Sequence, residues 1–276
     1  MRFSTLSLAL LSFTAATPAF AQDATDPPPP ITVTGSVGIV SDYRFRGVSQ
    51  SDKEVAVQGG ITINHESGLY VGTWGSNLAG WGTFGGANLE LDLIAGYKTP
   101  IGNGGTLDVG VTWYMYPGGA DETDFLEPYA KLGGTVGPAT LTASVFYAPK
   151  QNALGLYTRS LTPFIAGPGT KEDNLYLAGD GAVAIPTTPV TLKAHIGYSD
   201  GNPGLGPNGT SVAPTGKYWD WSLGADVVVN KLTFNVSYVD TDISNAEARY
   251  LQPNLGKTTG GSIVGSTIVA GVSVAF

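Results

Sequence analysis

The sequence predicts an all-β fold, a transmembrane antiparallel up-and-down β-barrel of about twelve strands, with short periplasmic turns and long extracellular loops. Apolar and polar residues alternate with period two through most of the chain, as in strands with one apolar face. Only 13% of the residues are charged, whereas soluble domains average about a quarter. After the first residues no apolar stretch reaches the roughly 18 residues that a spanning helix needs, so membrane crossing would fall to strands.

The first residues have the pattern of a secretory signal peptide. The run MRFSTLSLALLSFTAATPAFAQ combines Arg2, an apolar stretch and small residues before Gln22, which predicts a signal peptide at 1–21. Residues 22–30 end in four prolines and are predicted to be a periplasmic lead, because proline lacks the amide donor that a sheet needs. The barrel is then predicted to span 31–276.

Twelve alternating segments follow, each with one apolar face and one polar face. At 87–99, for example, Leu91 and Leu93 alternate with Glu90 and Asp92, and successive side chains of a strand point to opposite faces. The segments are predicted at 32–46, 54–65, 68–77, 87–99, 105–116, 125–136, 139–149, 174–185, 190–200, 218–229, 232–240 and 262–276.

The connections between these segments sort by length. Every second link is tight, as at Asn230-Lys231, whereas the later intervening links occupy 150–173, 201–217 and 241–261. An up-and-down meander puts alternate links at opposite ends, which predicts one short-turn end and one long-loop end, as in outer-membrane barrels. A soluble exported β-sandwich is the less favoured alternative, since its topology gives no reason for this sorting.

The first segment contains the run SDYRFRG, in which rings and guanidiniums alternate. If the strand continues to residue 46, Tyr43 and Phe45 lie in the outer aromatic girdle, and Arg44 and Arg46 point into the lumen. A wet lumen is the favourable place for these guanidiniums, because lipid burial at the bilayer midplane costs roughly 2–4 kcal/mol each.

The last segment ends in an aromatic residue, and Val264, Ile268, Val272 and Phe276 share one parity within it. A terminal aromatic residue on an alternating strand resembles the end of most bacterial outer-membrane barrels. An ordinary last strand of a soluble sheet is the alternative.

The opening of the chain also resembles a known family. SDYRFRGVSQSD, the VAVQGGI of 55–61 and the GLYVGTWGSN of 68–77 are similar to the start of the TorF-type porins, also called Gcw_chp. The resemblance covers most of the chain after the signal peptide and is densest at 36–77. It implies an outer-membrane location and a channel-like role, and it implies no defined substrate and no catalytic residues.

The polar parity of the segments supplies candidate pore-lining residues. Carboxylates outnumber lysines there, which favours cations or neutral polar solutes in the lumen. An equally weighted alternative is that these carboxylates pair with the basic groups and fill the interior. Tyr114 and Tyr176 share the parity and either line the passage or fill space. The pore-lining candidates are Arg44, Arg46, Glu90, Asp92, Asp108, Glu127, Lys131, Asp180, Lys193, His195, Asp220 and Asp226.

Enzymatic chemistry has little support in the sequence. The chain has no cysteine and only two histidines; neither His65, at a short turn, nor His195, on the lumen parity, is expected to face lipid beside a serine. No histidine-pair or EF-hand spacing indicates a metal site. The sequence therefore predicts no catalytic residue, no cofactor and no metal.

Composition also limits the partners. No cluster of basic residues indicates nucleic-acid binding, and the formal net charge is -8. The expected partners are outer-membrane lipid, lipopolysaccharide and small polar solutes, and association into homo-oligomers is left open. The sequence thus predicts a passive outer-membrane channel, with a non-conducting barrel whose loops bind a partner or surface as the alternative.

Overall fold

The computed structural model describes most of the chain from residue 29 onward. The described residues are 29–83, 86–102, 104–119, 122–155, 171–202, 212–244, 246 and 262–276. The predicted signal peptide, and the predicted lead up to residue 28, lie outside the described residues.

Most of the described residues lie in strands. One short helical turn is the 3-10 segment Gly80–Thr83 and another is α1 at Asn152–Gly155. The strands are β1 Ile31–Val40, β2 Arg44–Phe45, β3 Val48–Ser49, β4 Ala56–His65, β5 Leu69–Asn77, β6 Leu89–Ile101, β7 Gly105–Met115, β8 Phe125–Val136, β9 Ala139–Gln151, β10 Glu172–Ala184, β11 Val190–Gly201, β12 Lys217–Val229, β13 Leu232–Thr241 and β14 Thr267–Ala275.

Twelve of these strands form one closed antiparallel barrel in the order β1-β14-β13-β12-β11-β10-β9-β8-β7-β6-β5-β4. The first and last strands close it, with Ile39 opposite Val272 in the register. The terminal residue takes part, because the Phe276 amide donates to the Gly35 carbonyl at 2.9 Å and the Gly35 amide donates back at 2.8 Å. The predicted barrel is confirmed, and a two-sheet sandwich is excluded.

The tight links gather at one end of the barrel. At this end the Glu66 amide donates to the Pro30 carbonyl at 2.9 Å, so the chain enters the barrel beside the first turn. Asn230 and Gly137 adopt φ values of 56° and 60° at two of the turns, a left-handed conformation that asparagine and glycine tolerate best. The link 41–55 and the strand ends that flank the other long links lie at the opposite end.

Side-chain exposure follows the predicted alternation. Leu93 is 44% exposed on the outer face of β6, whereas its neighbour Asp92 is 0% exposed on the inner face. Such an apolar exterior around a polar interior is the pattern of a barrel that crosses a membrane. No helix in the described residues is long and apolar enough to span a membrane, a finding that does not concern strands.

A positive charge on the outer face should destabilise the barrel in lipid. Leu223 lies outward in the middle of β12 and is 63% exposed, so Leu223→Arg should lower the free energy of unfolding in lipid vesicles by about 2–4 kcal/mol. Ser237→Arg is the control, because Ser237 lies inward beside Gly224 on the neighbouring strand. Urea unfolding followed by tryptophan fluorescence measures both, and equal losses would contradict the assigned faces.

The structure corrects the limits of the first and last strands. β1 ends at Val40 rather than at residue 46, and its register with β4 ends where Val40 meets Ala56. Tyr43 and Phe45 are 0% and 7% exposed, so the prediction that they lie in an outer girdle is wrong. At the other end β14 begins at Thr267, and Val264 is buried among loop residues rather than on the outer face.

Candidate functional site

The lumen has two unlike sides. Its charged side runs from β6 to β12, where the inward parity of the strands carries the predicted carboxylates, lysines and histidine. The opposite side, called here the neutral side, comprises β13, β14, β1 and β4. Its inward residues are small or uncharged and include Ser36, Thr34, Thr62, Asn64, Thr233, Asn235, Ser237 and Ser273.

The loop between β1 and β4, residues 41–55, folds back into the barrel and is called here the inward loop. Its strands β2 and β3 pair Arg44 with Ser49 and Phe45 with Val48. The two residues between them, Arg46 and Gly47, have φ values of 49° and 79°, as a two-residue hairpin turn requires. A side chain at position 47 would also overlap Thr241 on β13. Glycine is therefore needed at this position for both conformation and space.

The tip of the inward loop is held against the charged side by Arg46. Its Nη2 donates to both carboxylate oxygens of Glu127, each at 2.7 Å. The guanidinium lies 4.2 Å from the centre of the Tyr176 ring, a geometry that attracts a cation to the ring face. The Tyr218 hydroxyl donates to the Arg46 carbonyl at 3.0 Å. Burial lowers the pKa of Arg46, but the Glu127 carboxylate together with Tyr114 and Tyr176 raises it above its ordinary value, so the arginine stays charged.

The base of the inward loop is held by Asp42 and Arg44. The Arg44 Nε donates to Asp42 Oδ2 at 2.6 Å, and Nη1 donates to the carbonyls of Gly47 and Ile263 at 2.9 Å and 2.8 Å. The Ser49 amide also donates to the Ile263 carbonyl at 3.0 Å. The loop is thus bonded to the segment that precedes β14 as well as to itself.

Aromatic packing fills the long-loop half of the barrel. The Phe45 and Tyr114 rings lie 6.0 Å apart edge to face, and Tyr114 stacks on Phe125 at 4.5 Å. Tyr43 meets Trp74 edge to face at 5.4 Å. Tyr114 is only 1% exposed, so it fills space under the inward loop instead of lining an open passage.

A second set of polar contacts joins β10, β11 and β12. His195 lies between two carboxylates, with Nδ1 2.8 Å from Asp180 and Nε2 3.1 Å from Asp220. Lys193 Nζ donates to Asp226 at 3.1 Å. Tyr176, 5% exposed, hydrogen-bonds to both His195 and Asp220. Several of the predicted lining carboxylates are therefore paired with basic groups. This pairing is what the alternative prediction of a filled interior describes.

The candidate residues lie in the lumen either on barrel strands or on the inward loop. Those on strands all lie on the inward parity: Glu90, Asp92, Asp108, Glu127, Lys131, Asp180, Lys193, His195, Asp220 and Asp226. Arg44 and Arg46 also lie inside, but on the inward loop rather than on a strand wall.

Some functional residues were missed by the sequence reasoning. Lys98 lies inward on β6, opposite Asp108 on β7, and the parity of Asp92 on the same strand could have identified it. Tyr70 donates to Asp108 at 2.6 Å, and its hydroxyl also contacts that of Tyr129. Tyrosines of the inward parity therefore share in holding the carboxylates.

His65 lies at the first short turn, as the sequence predicts. Its Nδ1 lies 2.9 Å from Ser67 Oγ in the same turn. The Ser67 amide also contacts His65 Nδ1, at 3.2 Å, which is a local turn contact. Within the described residues no group of three histidine, cysteine, aspartate or glutamate side chains is arranged to hold a metal ion.

Comparison with solved structures shows that the fold of this chain is similar to that of porins. The NanC porin structure superposes with a TM-score of 0.54 at 11% identity, covering 89% of this chain and 99% of that one. A KdgM porin in complex with disordered oligogalacturonate gives a TM-score of 0.50 at 9% identity, with the same coverage of each chain. At such identities the likeness concerns the fold alone. No curated protein matches the chain in sequence.

A family profile also matches most of the sequence. The profile is described as a bacterial protein of unknown function, Gcw_chp, and it matches residues 24–272. The matched range includes the inward loop and every candidate residue of the lumen. The chain therefore belongs to the Gcw_chp family of bacterial proteins of unknown function.

Proposed function

We propose that the protein is an outer-membrane channel for the passive diffusion of small polar solutes. The observation that carries this proposal is the closed barrel with an apolar exterior and a polar, charged lumen. Twelve strands lie between the eight that side chains fill and the sixteen that leave a wide pore. A narrow passage is therefore expected.

Planar-bilayer recording tests the proposal directly. The protein folded in detergent and added to a lipid bilayer should insert with discrete, ohmic current steps. Ohmic steps that vanish when the protein is heat-denatured before addition support a channel. The absence of steps from correctly folded protein would contradict it.

The inward loop is proposed to restrict this channel at its long-loop end. Arg46 ties the loop to the charged side, and Gly47 packs against Thr241 on β13 of the neutral side, so the loop would leave solutes only a narrow passage. A small single-channel conductance follows from this arrangement. Lipid and lipopolysaccharide are the proposed surroundings of the outer face.

The lumen is further proposed to prefer cations. The inward carboxylates outnumber the inward lysines and histidine on the described strands, and an excess of one charge concentrates the opposite ion. In a potassium chloride gradient the reversal potential should have the sign of potassium selectivity. A reversal potential of the opposite sign, which indicates chloride preference, would refute this part of the proposal.

Oligogalacturonate, which is present in the KdgM porin structure, is not proposed as a solute of this chain. The inward carboxylates here outnumber the inward lysines and histidine. Repulsion by this excess of negative charge disfavours an acidic oligosaccharide. Liposome-swelling assays should accordingly show faster entry of neutral sugars and amino acids than of acidic sugars of the same size.

A non-conducting barrel whose loops bind a partner is the second candidate. The packed long-loop end favours it, since Tyr43 and Phe125 are almost fully buried there. The bilayer recordings distinguish the two, because a binding barrel gives no current steps even after the inward loop is removed.

We also propose that the protein is not an enzyme. His195 is held between two carboxylates inside the lumen, and the contact of His65 with Ser67 is confined to one turn. Phospholipid hydrolysis by the purified protein that is lost in Ser67→Ala or in His195→Ala would overturn this proposal.

A further inference from the structure

Two carboxylates under the inward loop have no basic partner. Glu90 and Asp92 are 2% and 0% exposed, and neither takes part in an ion pair of the described residues. Other buried carboxylates do have such partners, as Glu127 has Arg46 and Asp226 has Lys193. The two carboxylates without a basic partner, Glu90 and Asp92, therefore lie together on β6.

Asp92 is the more extreme of the two. Within the described residues neither of its carboxylate oxygens has a hydrogen-bond partner, although the side chain is fully buried between Trp74 and Tyr114 on the flanking strands. Glu90 accepts one hydrogen bond, from the Tyr43 hydroxyl at 3.2 Å. Buried charges without partners are costly, so these carboxyl groups either stay protonated or are balanced by a bound cation.

Glu90 and Asp92 are neighbours on the same face of β6. Glu90 and Asp92 are two residues apart on one strand, so their Cβ atoms lie on the same face about 7 Å apart. A ligand of ionic size between two flexible carboxylates at this spacing can contact both. The Tyr43 hydroxyl already contacts Glu90.

Gln58 supplies a second neutral oxygen. It lies opposite Ser76, which lies opposite Glu90 on the next strand, so the three inward side chains form a row across β4, β5 and β6. Gln58 is 3% exposed, and its Oε1 has no partner within the described residues. An unpaired carbonyl oxygen thus lies in the same row as an uncompensated carboxylate.

We propose that Glu90 and Asp92 bind a divalent cation of the calcium type, with Gln58 Oε1 and the Tyr43 hydroxyl as additional ligands. The two carboxylates balance its charge, and every donor is an oxygen, the ligand type that calcium prefers. Calcium accepts irregular coordination, whereas magnesium demands a near-ideal octahedron. The ligands come from two strands and a loop, which explains why no linear motif marks the site.

The ion would fasten the inward loop at a second point. Arg46 holds the tip to β8, and a cation shared by Tyr43 and the β6 carboxylates would hold the base of the loop to β6. Binding of the ion is independent of conduction, so this inference is tested without the channel assay.

Calcium titration of the folded protein tests the site. The protein, folded into detergent after chelator treatment, is titrated calorimetrically with calcium chloride and then with magnesium chloride. We expect one saturable calcium site per chain, with weaker magnesium binding. Asp92→Asn, which keeps the shape of the side chain, should weaken calcium affinity at least tenfold, and Glu90→Gln should do the same.

Asp226→Asn is the matched control, because Asp226 is an equally buried lumen carboxylate that pairs with Lys193. It should bind calcium as the unmodified protein does, and far-UV circular dichroism should show each variant folded. No saturable calcium binding by the unmodified protein would overturn the proposal. Unchanged binding in folded Asp92→Asn and Glu90→Gln, or equal loss in the control, would overturn it too.

Discussion

Replacing residues 41–55 with a short Gly-Ser connection is expected to raise the single-channel conductance several-fold. The strand ends can be joined directly, because Val40 and Ala56 are already opposite each other in the register. The change removes Tyr43 and Phe45 from the centre of the long-loop half. Water then reaches Glu127, so its charge is not left buried when Arg46 is removed.

Conductance in planar bilayers measures this effect. The control exchanges Thr187-Thr188 for Asn-Gly at the opposite end, where Thr187 already has a φ of 65° that asparagine and glycine adopt more easily. The control should conduct like the unmodified protein. A loop-shortened barrel that folds but conducts no better would show that the inward loop does not restrict the passage.

Removal of the Arg46 side chain should free the inward loop. Glu127 is 0% exposed and receives both of its short contacts from Arg46. Deleting one partner of a buried ion pair costs about 3–5 kcal/mol. In Arg46→Ala the amide of Gln50, which donates to the Tyr43 carbonyl at 2.7 Å, should therefore exchange its hydrogen at least about 100-fold faster.

Two further variants separate the ion pair from general damage to the loop. Arg46→Met combined with Glu127→Gln removes both charges and should recover most of the lost protection, because no buried charge is left unpaired. Lys217→Ala removes a partner of Asp200 at 2.9 Å in an exposed pair, and it should leave the exchange of the Gln50 amide nearly unchanged, because water screens an exposed pair. Loss of protection in Lys217→Ala as large as in Arg46→Ala would contradict this explanation.

The barrel itself could be predicted because the sequence signals that specify its strands and turns are local. Strand alternation, as at Leu93 and Asp92, assigns each side chain to a face as soon as the membrane is recognised as the surrounding solvent. Turn chemistry, as at Asn230 and Gly137, marks the ends of strands. The strand number, the sorting of the links and the inward parity of the candidate residues followed from these two signals.

The inward loop could not be predicted in the same way. Rings and guanidiniums alternate in SDYRFRG whether the strand continues along the barrel wall or turns back as a hairpin inside it. The choice depends on distant partners, since Glu127 and Tyr176 are far from Arg46 in the sequence. Gly47 was the available local signal, because a glycine after Arg46 permits the two-residue turn.

Pairing among the lumen charges was equally non-local. The parity identified Asp220 and His195 as inward, but the register between β11 and β12 decides that they meet. The lack of a partner for Asp92 is likewise visible only when the neighbouring strands are in place. Sequence therefore located the charged groups, and the closed barrel determined which of them are compensated.

Cross-linking inside the barrel tests the position of the inward loop most directly. The chain has no cysteine, so Phe45→Cys with Tyr114→Cys introduces one isolated pair at side chains whose rings lie 6.0 Å apart. A short bifunctional thiol reagent should join the two positions in the membrane-folded protein, and it should not join Phe45→Cys to Leu223→Cys on the outer face. Mass spectrometry of the digested protein identifies the joined peptides. A failure to join positions 45 and 114, with a lipid-soluble thiol reagent reaching position 45 instead, would place the loop outside the lumen.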